Sequence, residues 1–445
     1  VSVVERGAVL YPDLNASYPV AVSASDSTIR DDQGRDYLDG CSGALVVNLG
    51  HGRREVLDAM HRQSEAITFT YRTQFTSAPA ERLARRLTDL APGSLDHAFF
   101  TNSGSEAIEA AIRMALQYWQ ERGRPGKQLM ISRDGSYHGA TLGAVALSGH
   151  PARRRTVEAV LPAWPRAAAA SCHACPFGQQ RHSCALQCAA SIEQEIVKAG
   201  ADRVAAVVIE PVVGASGGAV PAPTGYLRAV AEICRTHDVL LVADETITGL
   251  GRTGHWFACD EAGIEPDLMV LGKGLSAGYV PLGALLVSEE VHRCLRDGSA
   301  RFTLGHTYAA NPLAMAVGEA VVDYTVRHQL PERAARIGAQ LTRRLRTLLA
   351  AHAHVVRDLR GAGLLIGIEF VAPDTDGGGV EVRADQLVAA ALRRGLVLYP
   401  AGTGTVQRTV LVAPPLTISE TDVEVLLHRF ALALEDVIAS QTVPS

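Results

Sequence analysis

The sequence predicts an α/β protein: a mostly parallel sheet covered by helices on both faces, followed by a smaller α+β domain. Three observations predict it. Short apolar runs alternate with helical patterns through the middle of the chain. Several of these runs are continuously apolar, as strands buried on both faces should be. After about Asn311 the pattern changes to short strands and helices in alternation.

The expected strands of the large sheet are His97–Thr101, Gln128–Ser132, Val204–Ile209, Val239–Ala243, Leu268–Leu271 and Gly283–Val287. Between the first two, Ile108, Ile112, Ala115 and Trp119 fall at spacings of 4, 3 and 4, one apolar helical stripe. A second helical stretch, Tyr226–His237, precedes Val239. Beyond Asn311 a long helical segment leads to an arginine-rich surface at Leu341–Leu349. Strands at Leu364–Phe370, Leu396–Tyr399 and Thr409–Val412 then alternate with helices near Ala384–Arg394 and Thr421–Ser440. The first residues of the chain are expected to join this smaller domain. The division is an N-terminal segment 1–70, a large domain 71–325 and a small domain 326–445. Only the Ala167–Ala170 and Gly377–Gly379 runs are of low complexity.

A chain of 445 residues fits two or three domains. With 47% hydrophobic and 20% charged residues it can bury a large core, which excludes a disordered or fibrous protein. The net charge is −5 and no basic block stands out, so nucleic acid is not an expected partner. No apolar run approaches the roughly 20 residues that span a bilayer. The first residues, Val1 to Arg6, lack the charged and apolar regions of a signal peptide, so a cytoplasmic location is expected.

The cysteines form two groups. Cys41, Cys234, Cys259 and Cys294 are scattered, as reduced thiols acting as small apolar residues would be. Cys172, Cys175, Cys184 and Cys188 form C-x2-C-x8-C-x3-C, which raises a structural zinc site. The x8 gap is short for paired knuckles, and His173 and His182 compete as ligands. A cysteine-rich loop without metal is the reading kept.

Gly249-Leu250-Gly251-Arg252-Thr253-Gly254 matches G-x-G-x-x-G after an apolar run. A dinucleotide site of that kind needs a helix starting at the glycines, whose amides face the pyrophosphate. The following His255–Asp260 carries no helical stripe, and Asp244 and Glu245 would repel the anion. The match is rejected.

Only three of the 42 basic residues are lysine, so each can be judged separately. Lys127 lies in a Pro/Gly loop and reads as surface. Lys198 ends a helical segment before Gly200, where a cation suits the helix dipole. Lys273 follows an apolar strand, between two glycines, with no charge nearby in sequence. Desolvation there favours the neutral amine, the form that attacks a carbonyl. A tight surface turn is the plainer reading of Gly-Lys-Gly, and the companions decide between them.

Pyridoxal phosphate needs an imine-forming amine, a carboxylate on its ring nitrogen, a phosphate cradle and a flat group over its ring. Asp244 ends the run Val239–Ala243, at the strand edge where open α/β sheets bind ligands. Thr101-Asn102-Ser103-Gly104-Ser105-Glu106 lies between a strand and a helix, where hydroxyls and free amides suit a phosphate. It also reads as an ordinary capping sequence. Tyr137-His138-Gly139 follows one strand and Glu210-Pro211 closes another.

These motifs, with Asp244 through Gly254, Lys273-Gly274 and Gly305-His306-Thr307-Tyr308-Ala309-Ala310-Asn311-Pro312, occur in the order found in class III aminotransferases. From about Asp36 to Ala413-Pro414-Pro415-Leu416 the chain resembles that family, the ω-amine and ornithine type of fold-type I pyridoxal-phosphate enzymes. The resemblance implies a seven-stranded, mostly parallel sheet and a ping-pong amino transfer. It implies that Lys273 forms the internal aldimine and shuttles the substrate proton, and that Asp244 pairs with the pyridinium. Gly104 and Ser105 would hold the phosphate, Tyr137 would stack on the ring, and His138 and Ile247 would line the cofactor. Glu210 would lie near the substrate end. Thr307 would reach the phosphate of a neighbouring subunit in a homodimer, or in a tetramer built from such dimers. Thr246 stands where the family usually has valine, adding a hydroxyl.

The resemblance leaves the substrate open. Many relatives acting on ω-amines carry an arginine well before Ala-Pro-Pro-Leu, to pair with a substrate carboxylate. Here Arg408 lies only five residues before Ala413 and reads equally as that group or as a surface arginine on a hairpin. The stretch Ser42–Val46, with Leu45, is small and apolar, which suits an apolar or bulky acceptor. Epimerases, decarboxylases and lyases share the scaffold and form the alternative reading.

Overall fold

In the structure, a computed structural model, residues 9–180, 183–372, 380–404 and 406–442 are described. Val1 to Arg6, His182 and Gly377–Gly379 lie outside the described residues.

The large sheet has seven strands: β1 (His97–Thr101), β2 (Leu129–Arg133), β3 (Arg166–Ala167), β4 (Val204–Ile209), β5 (Leu240–Asp244), β6 (Leu268–Leu271) and β7 (Gly283–Val287). Their order is β1-β7-β6-β5-β4-β2-β3. Only β7 runs antiparallel to its neighbours. Every residue of β4, β5, β6 and β7 is buried, which explains their unbroken apolar sequences. The two-residue β3 escapes sequence reading because it is too short to carry a period.

Helix α1 (Gly104–Glu121) buries Ile108, Ile112, Ala115 and Trp119 against the sheet. Its start is capped: Ser103 Oγ accepts from Glu106 N at 3.2 Å, and Glu106 Oε2 reaches back to accept from Asn102 N at 2.8 Å. The long helical segment after Asn311 is two helices, Pro312–Arg327 and Leu330–Ala350. Gln329, at φ +48°, and Pro331 break it.

The expected strand Leu396–Tyr399 is divided between two sheets. Leu396–Val397 pairs in parallel with Leu38–Asp39, closing a sheet with the N-terminal strands Ala21–Ser25, Thr28–Asp31 and Asp36–Asp39. Tyr399–Ala401 pairs with Thr409–Val412, beside the hairpin Val356–Ala362 and Leu365–Phe370. One apolar run serves both sheets because the chain crosses between them at Leu398.

Lys127 is not on the surface. Its residue is buried, and Nζ donates to the carbonyls of Ala201 at 3.0 Å, Val204 at 3.1 Å and Asp238 at 2.5 Å. Burial pushes its amine down to about 8. The sequence showed the Pro/Gly loop but not the carbonyls that converge on the long side chain. They lie near the starts of β4 and β5, opposite the edge where Asp244 ends its strand.

Candidate active site

The carboxyl ends of β1, β4, β5 and β6 bring the expected residues together. Lys273 begins a single turn (Lys273–Leu275) just past β6, at φ +42°, a strained backbone for a residue with a Cβ. Among the described residues nothing hydrogen-bonds or ion-pairs with its Nζ. Burial pushes the amine below the usual lysine range, while the carboxylates of Asp244 and Glu210 pull the other way.

Asp244 pairs in register with Val270 of β6, three residues before Lys273. It is buried, and its oxygens are divided: Oδ1 accepts from Thr246 N at 3.1 Å and Oδ2 lies 2.8 Å from His138 Nδ1. His138 thus orients the carboxylate, and its own Nε2 is buried without a partner. Glu210 Oε1 accepts from Tyr137 N at 2.9 Å and Oε2 from Gly214 N at 3.0 Å. Burial raises the Glu210 carboxyl above its ordinary range. Glu210 thus fixes the Tyr137 loop through one oxygen and Gly214 through the other.

Gly104 and Ser105 are the first residues of α1, and their amides have no partner among the described residues. A Cβ on Gly104 would sit 3.0 Å from Thr246 Cγ2, and one on Gly272 3.1 Å from the same atom. The helix start, Thr246 and the backbone before Lys273 therefore pack in direct contact, a closeness only glycine permits. Ser105 Oγ accepts from Ala140 N at 3.0 Å, tying the cradle to the Tyr137 loop. Arg153 lies over the Tyr137 ring at 5.3 Å, a neighbour that no sequence motif marks.

This donor set fits pyridoxal phosphate. It offers a free amine for the aldehyde, a buried carboxylate for the ring nitrogen, and two open amides at a helix N-terminus for the phosphate dianion. All lie along one sheet edge.

Other expected positions fall elsewhere. Leu45 is 1% exposed and packs with Ile247, Val212 and Leu411. Thr307 is exposed in the turn before Asn311. Arg408 Nη2 pairs with Glu381 Oε1 at 2.6 Å and lines a cavity that contains none of Lys273, Asp244, Glu210 or Tyr137. Cys172, Cys175, Cys184 and Cys188 line one small cavity, and none of them is in a disulfide. They do not form a set of three within 4.8 Å. His173 is engaged with Glu369 at 3.2 Å, which pins the loop to the small domain.

Sequence reading missed the role of Arg252. The glycine motif around it starts no helix; the next one is Ala258–Ala262. Arg252 is instead fully buried. It donates to Leu364 O at 3.0 Å, Pro414 O at 2.6 Å, Ser42 Oγ at 3.0 Å and Asn48 Oδ1 at 2.7 Å. One guanidinium joins three distant stretches of chain beside the site.

Comparison with known proteins agrees with this geometry. The family model described as aminotransferase class-III matches residues 14–434. An uncharacterised aminotransferase of Bacillus subtilis, YodT, is 40% identical over 95% of this chain and 96% of its own length. The crystal structure of an (S)-enantioselective ω-transaminase from Thermomicrobium roseum is 35% identical, with TM-score 0.88 over 95% of this chain and 93% of that one. That of the ω-transaminase from Pseudomonas jessenii in complex with PMP is 30% identical, with TM-score 0.89 over 95% and 93%. The relatives are aminotransferases, so the epimerase, decarboxylase and lyase readings are not favoured. No helix among the described residues is long and apolar enough to cross a membrane. The chain therefore belongs to the class III aminotransferases, fold-type I enzymes that use pyridoxal phosphate to move an amino group between small molecules.

Proposed function

We propose that Lys273 holds the cofactor and moves the proton, and that the amino donor is an ω-amine with an apolar substituent. The observation that carries the first part is the Lys273 amine itself: desolvated, without a partner, and near the carboxylate of Asp244. Bound pyridoxal phosphate supplies an aldehyde that takes up the amino group and a ring that withdraws electrons from it. Asp244 keeps negative charge at the ring nitrogen, with His138 and the Thr246 amide holding the carboxylate in place. Gly104 and Ser105 offer their amides to the phosphate. Tyr137, whose amide Glu210 holds, would cover one face of the ring, and Thr246 and Ile247 the other. With the cofactor bound, the Lys273 amine would hold it and would carry one proton between substrate carbon and cofactor.

The donor class rests on the wall behind the site and on Arg408. Leu45, Val212, Ile247, Leu411 and Ala413 form an apolar cluster. Arg408 is held by Glu381 and offers no carboxylate clamp. Both features suit the amines implied by the word ω-transaminase in the names of the T. roseum and P. jessenii proteins.

The reading includes a homodimer, or a tetramer of two such dimers, in the cytoplasm. Phe69, Tyr71, Phe75 and Tyr308 are exposed, a set of apolar side chains that a second copy would cover. Thr307, beside Tyr308, then completes the partner's phosphate site. The domain division 1–70, 71–325 and 326–445 belongs to the same reading.

The test is a half-reaction. Cofactor-loaded protein is mixed with an amine and no carbonyl acceptor, and the absorbance is followed. An apolar ω-amine should convert the cofactor to its pyridoxamine form. Conversion by α-amino acids alone would overturn the donor class. Racemisation of an amino acid without pyridoxamine accumulating would overturn transfer itself.

A further inference from the structure

We propose that Arg153 recognises the carboxylate of a keto-acid acceptor, and so sets which carbonyl compounds complete the reaction. The proposal rests on the reading that Tyr137 covers the cofactor ring. The Arg153 guanidinium lies over the Tyr137 ring, 5.3 Å from its centroid. Among the described residues no carboxylate pairs with it, and its side chain makes no hydrogen bond. The next arginine has the opposite fate. Arg154 is 6% exposed, and it donates to the carbonyls of Val145, Ala146 and Ser148 and to the Glu158 carboxylate. Arg154 therefore fixes the turn, while Arg153 stays exposed with its charge uncompensated.

The chain around Arg153 dictates its position. The short helix Pro151–Arg154 follows Ser148-Gly149-His150, a stretch laced to the Tyr137 loop. His138 N donates to Ser148 Oγ at 2.9 Å, Gly149 N to Ser136 Oγ at 3.1 Å, and Gly135 N to Gly149 O at 3.1 Å. A Cβ on Gly149 would sit 2.4 Å from Arg133 O, so only glycine allows this approach. Tyr399 is the third member of the group. Its ring packs against the apolar cluster that contains Leu45 and Ile247. Burial raises the Tyr399 phenol, and the nearby Arg153 pulls it back. One cation thus stands near both tyrosines, beside the apolar wall.

The reaction calls for such a group. In a ping-pong transfer the donor's product leaves, and the carbonyl acceptor enters the same site. A keto acid brings a carboxylate bonded to the reacting carbonyl carbon, and beside Leu45 and Ile247 that charge needs a cation. Arg408 is occupied by Glu381. A free guanidinium receives a carboxylate through two parallel N–H···O bonds. These are stronger than its contact with an exposed ring, so an entering acceptor draws Arg153 from Tyr137. An apolar donor leaves it there. One site then serves an uncharged substituent in the first half of the reaction and a carboxylate in the second.

The test is the second half-reaction. Protein loaded with pyridoxamine phosphate is mixed with pyruvate, or with propanal, which lacks the carboxylate, and the return of the near-visible absorbance band is followed. Arg153→Met should slow the reaction with dilute pyruvate roughly ten- to hundredfold, mainly by raising the pyruvate concentration needed for half the maximal rate, and should leave propanal within about twofold. Arg153→Lys should recover part of the loss, and Arg155→Met, exposed in the same stretch, should match the wild type. Unchanged reaction with pyruvate in Arg153→Met, an equal loss with both acceptors, the same loss in Arg155→Met, or a wild type that accepts propanal but not pyruvate would each overturn the proposal. Starting from the pyridoxamine form bypasses the donor, so a wrong donor class shows in the amine half-reaction and not here. A second measurement needs neither turnover nor a variant. In protein loaded with pyridoxal phosphate, pyruvate should protect Arg153, but not Arg155, from phenylglyoxal modification mapped by mass spectrometry. Equal modification with and without pyruvate would also overturn it.

Discussion

Replacing Asp244 with asparagine changes one atom and should cost about three orders of magnitude in turnover. The Thr246 amide can donate only to an oxygen, so the new side chain must keep its Oδ1 there. Its amide nitrogen is then left facing His138 Nδ1, 2.8 Å away in the wild type. To accept that hydrogen, His138 must move its own proton to Nε2, which is buried with no partner. An unsatisfied buried donor costs about 2 kcal/mol, and losing the charged acceptor at the cofactor's ring nitrogen about 2 more. If both are felt in the transition state, roughly 4 kcal/mol corresponds to a 10^3-fold loss at 1.36 kcal/mol per decade. The assay is steady-state amino transfer with cofactor in excess, so that weakened binding does not masquerade as lost chemistry. Turnover within tenfold of wild type would refute the reasoning, because the carboxylate would then be dispensable to the ring.

Further expectations follow from single side chains. Lys273→Ala should release its cofactor on dialysis against an amine donor and lose the near-visible absorbance band, while the wild type keeps both after removal of the donor and addition of a keto acid. Arg252→Met leaves the carbonyls of Leu364 and Pro414 without their donor, which should destabilise the protein by about 3–5 kcal/mol, read as a fall in melting temperature. Asp267 is raised from 3.8 to about 6 by burial, so its contribution to stability is complete below pH about 4 and is lost as pH rises through 6. Asp267→Asn should therefore gain on the wild type by up to about 3 kcal/mol as pH rises from about 4 to about 6, seen as a difference in melting temperature that widens over that range and is constant above it. Arg408→Ala should leave kcat/KM within roughly fivefold for donors with and without a carboxylate, because its partner is Glu381; a large loss confined to carboxylate donors would restore it as a substrate clamp.

The central strands were legible in the sequence because they are buried on both faces. Val204–Ile209 and Leu268–Leu271 carry unbroken apolar runs, and their limits agree with β4 and β6. Arg166–Ala167 was not legible, since two residues have no period, and neither was Val356–Ala362, whose burial is only partial. Leu396–Tyr399 read as one strand because hydrophobicity records burial, not which sheet supplies the partner. The lysines divide in the same way. Lys273 stood out through its glycines and apolar strand, whereas the burial of Lys127 depends on three carbonyls distant in sequence.

What the sequence by itself determined is the chemistry available at the edge of the sheet. Strand ends are local, so an amine after one strand, a carboxylate ending another and glycine with serine after a third could be read without coordinates. Tertiary structure decided how those groups are held and which bystanders matter. Only packing brings His138 to Asp244, closes Glu210 onto the Tyr137 amide and removes Arg408 to Glu381. Each of these contacts joins residues far apart in the chain, and their geometry exists only once the sheet has fixed its strand order.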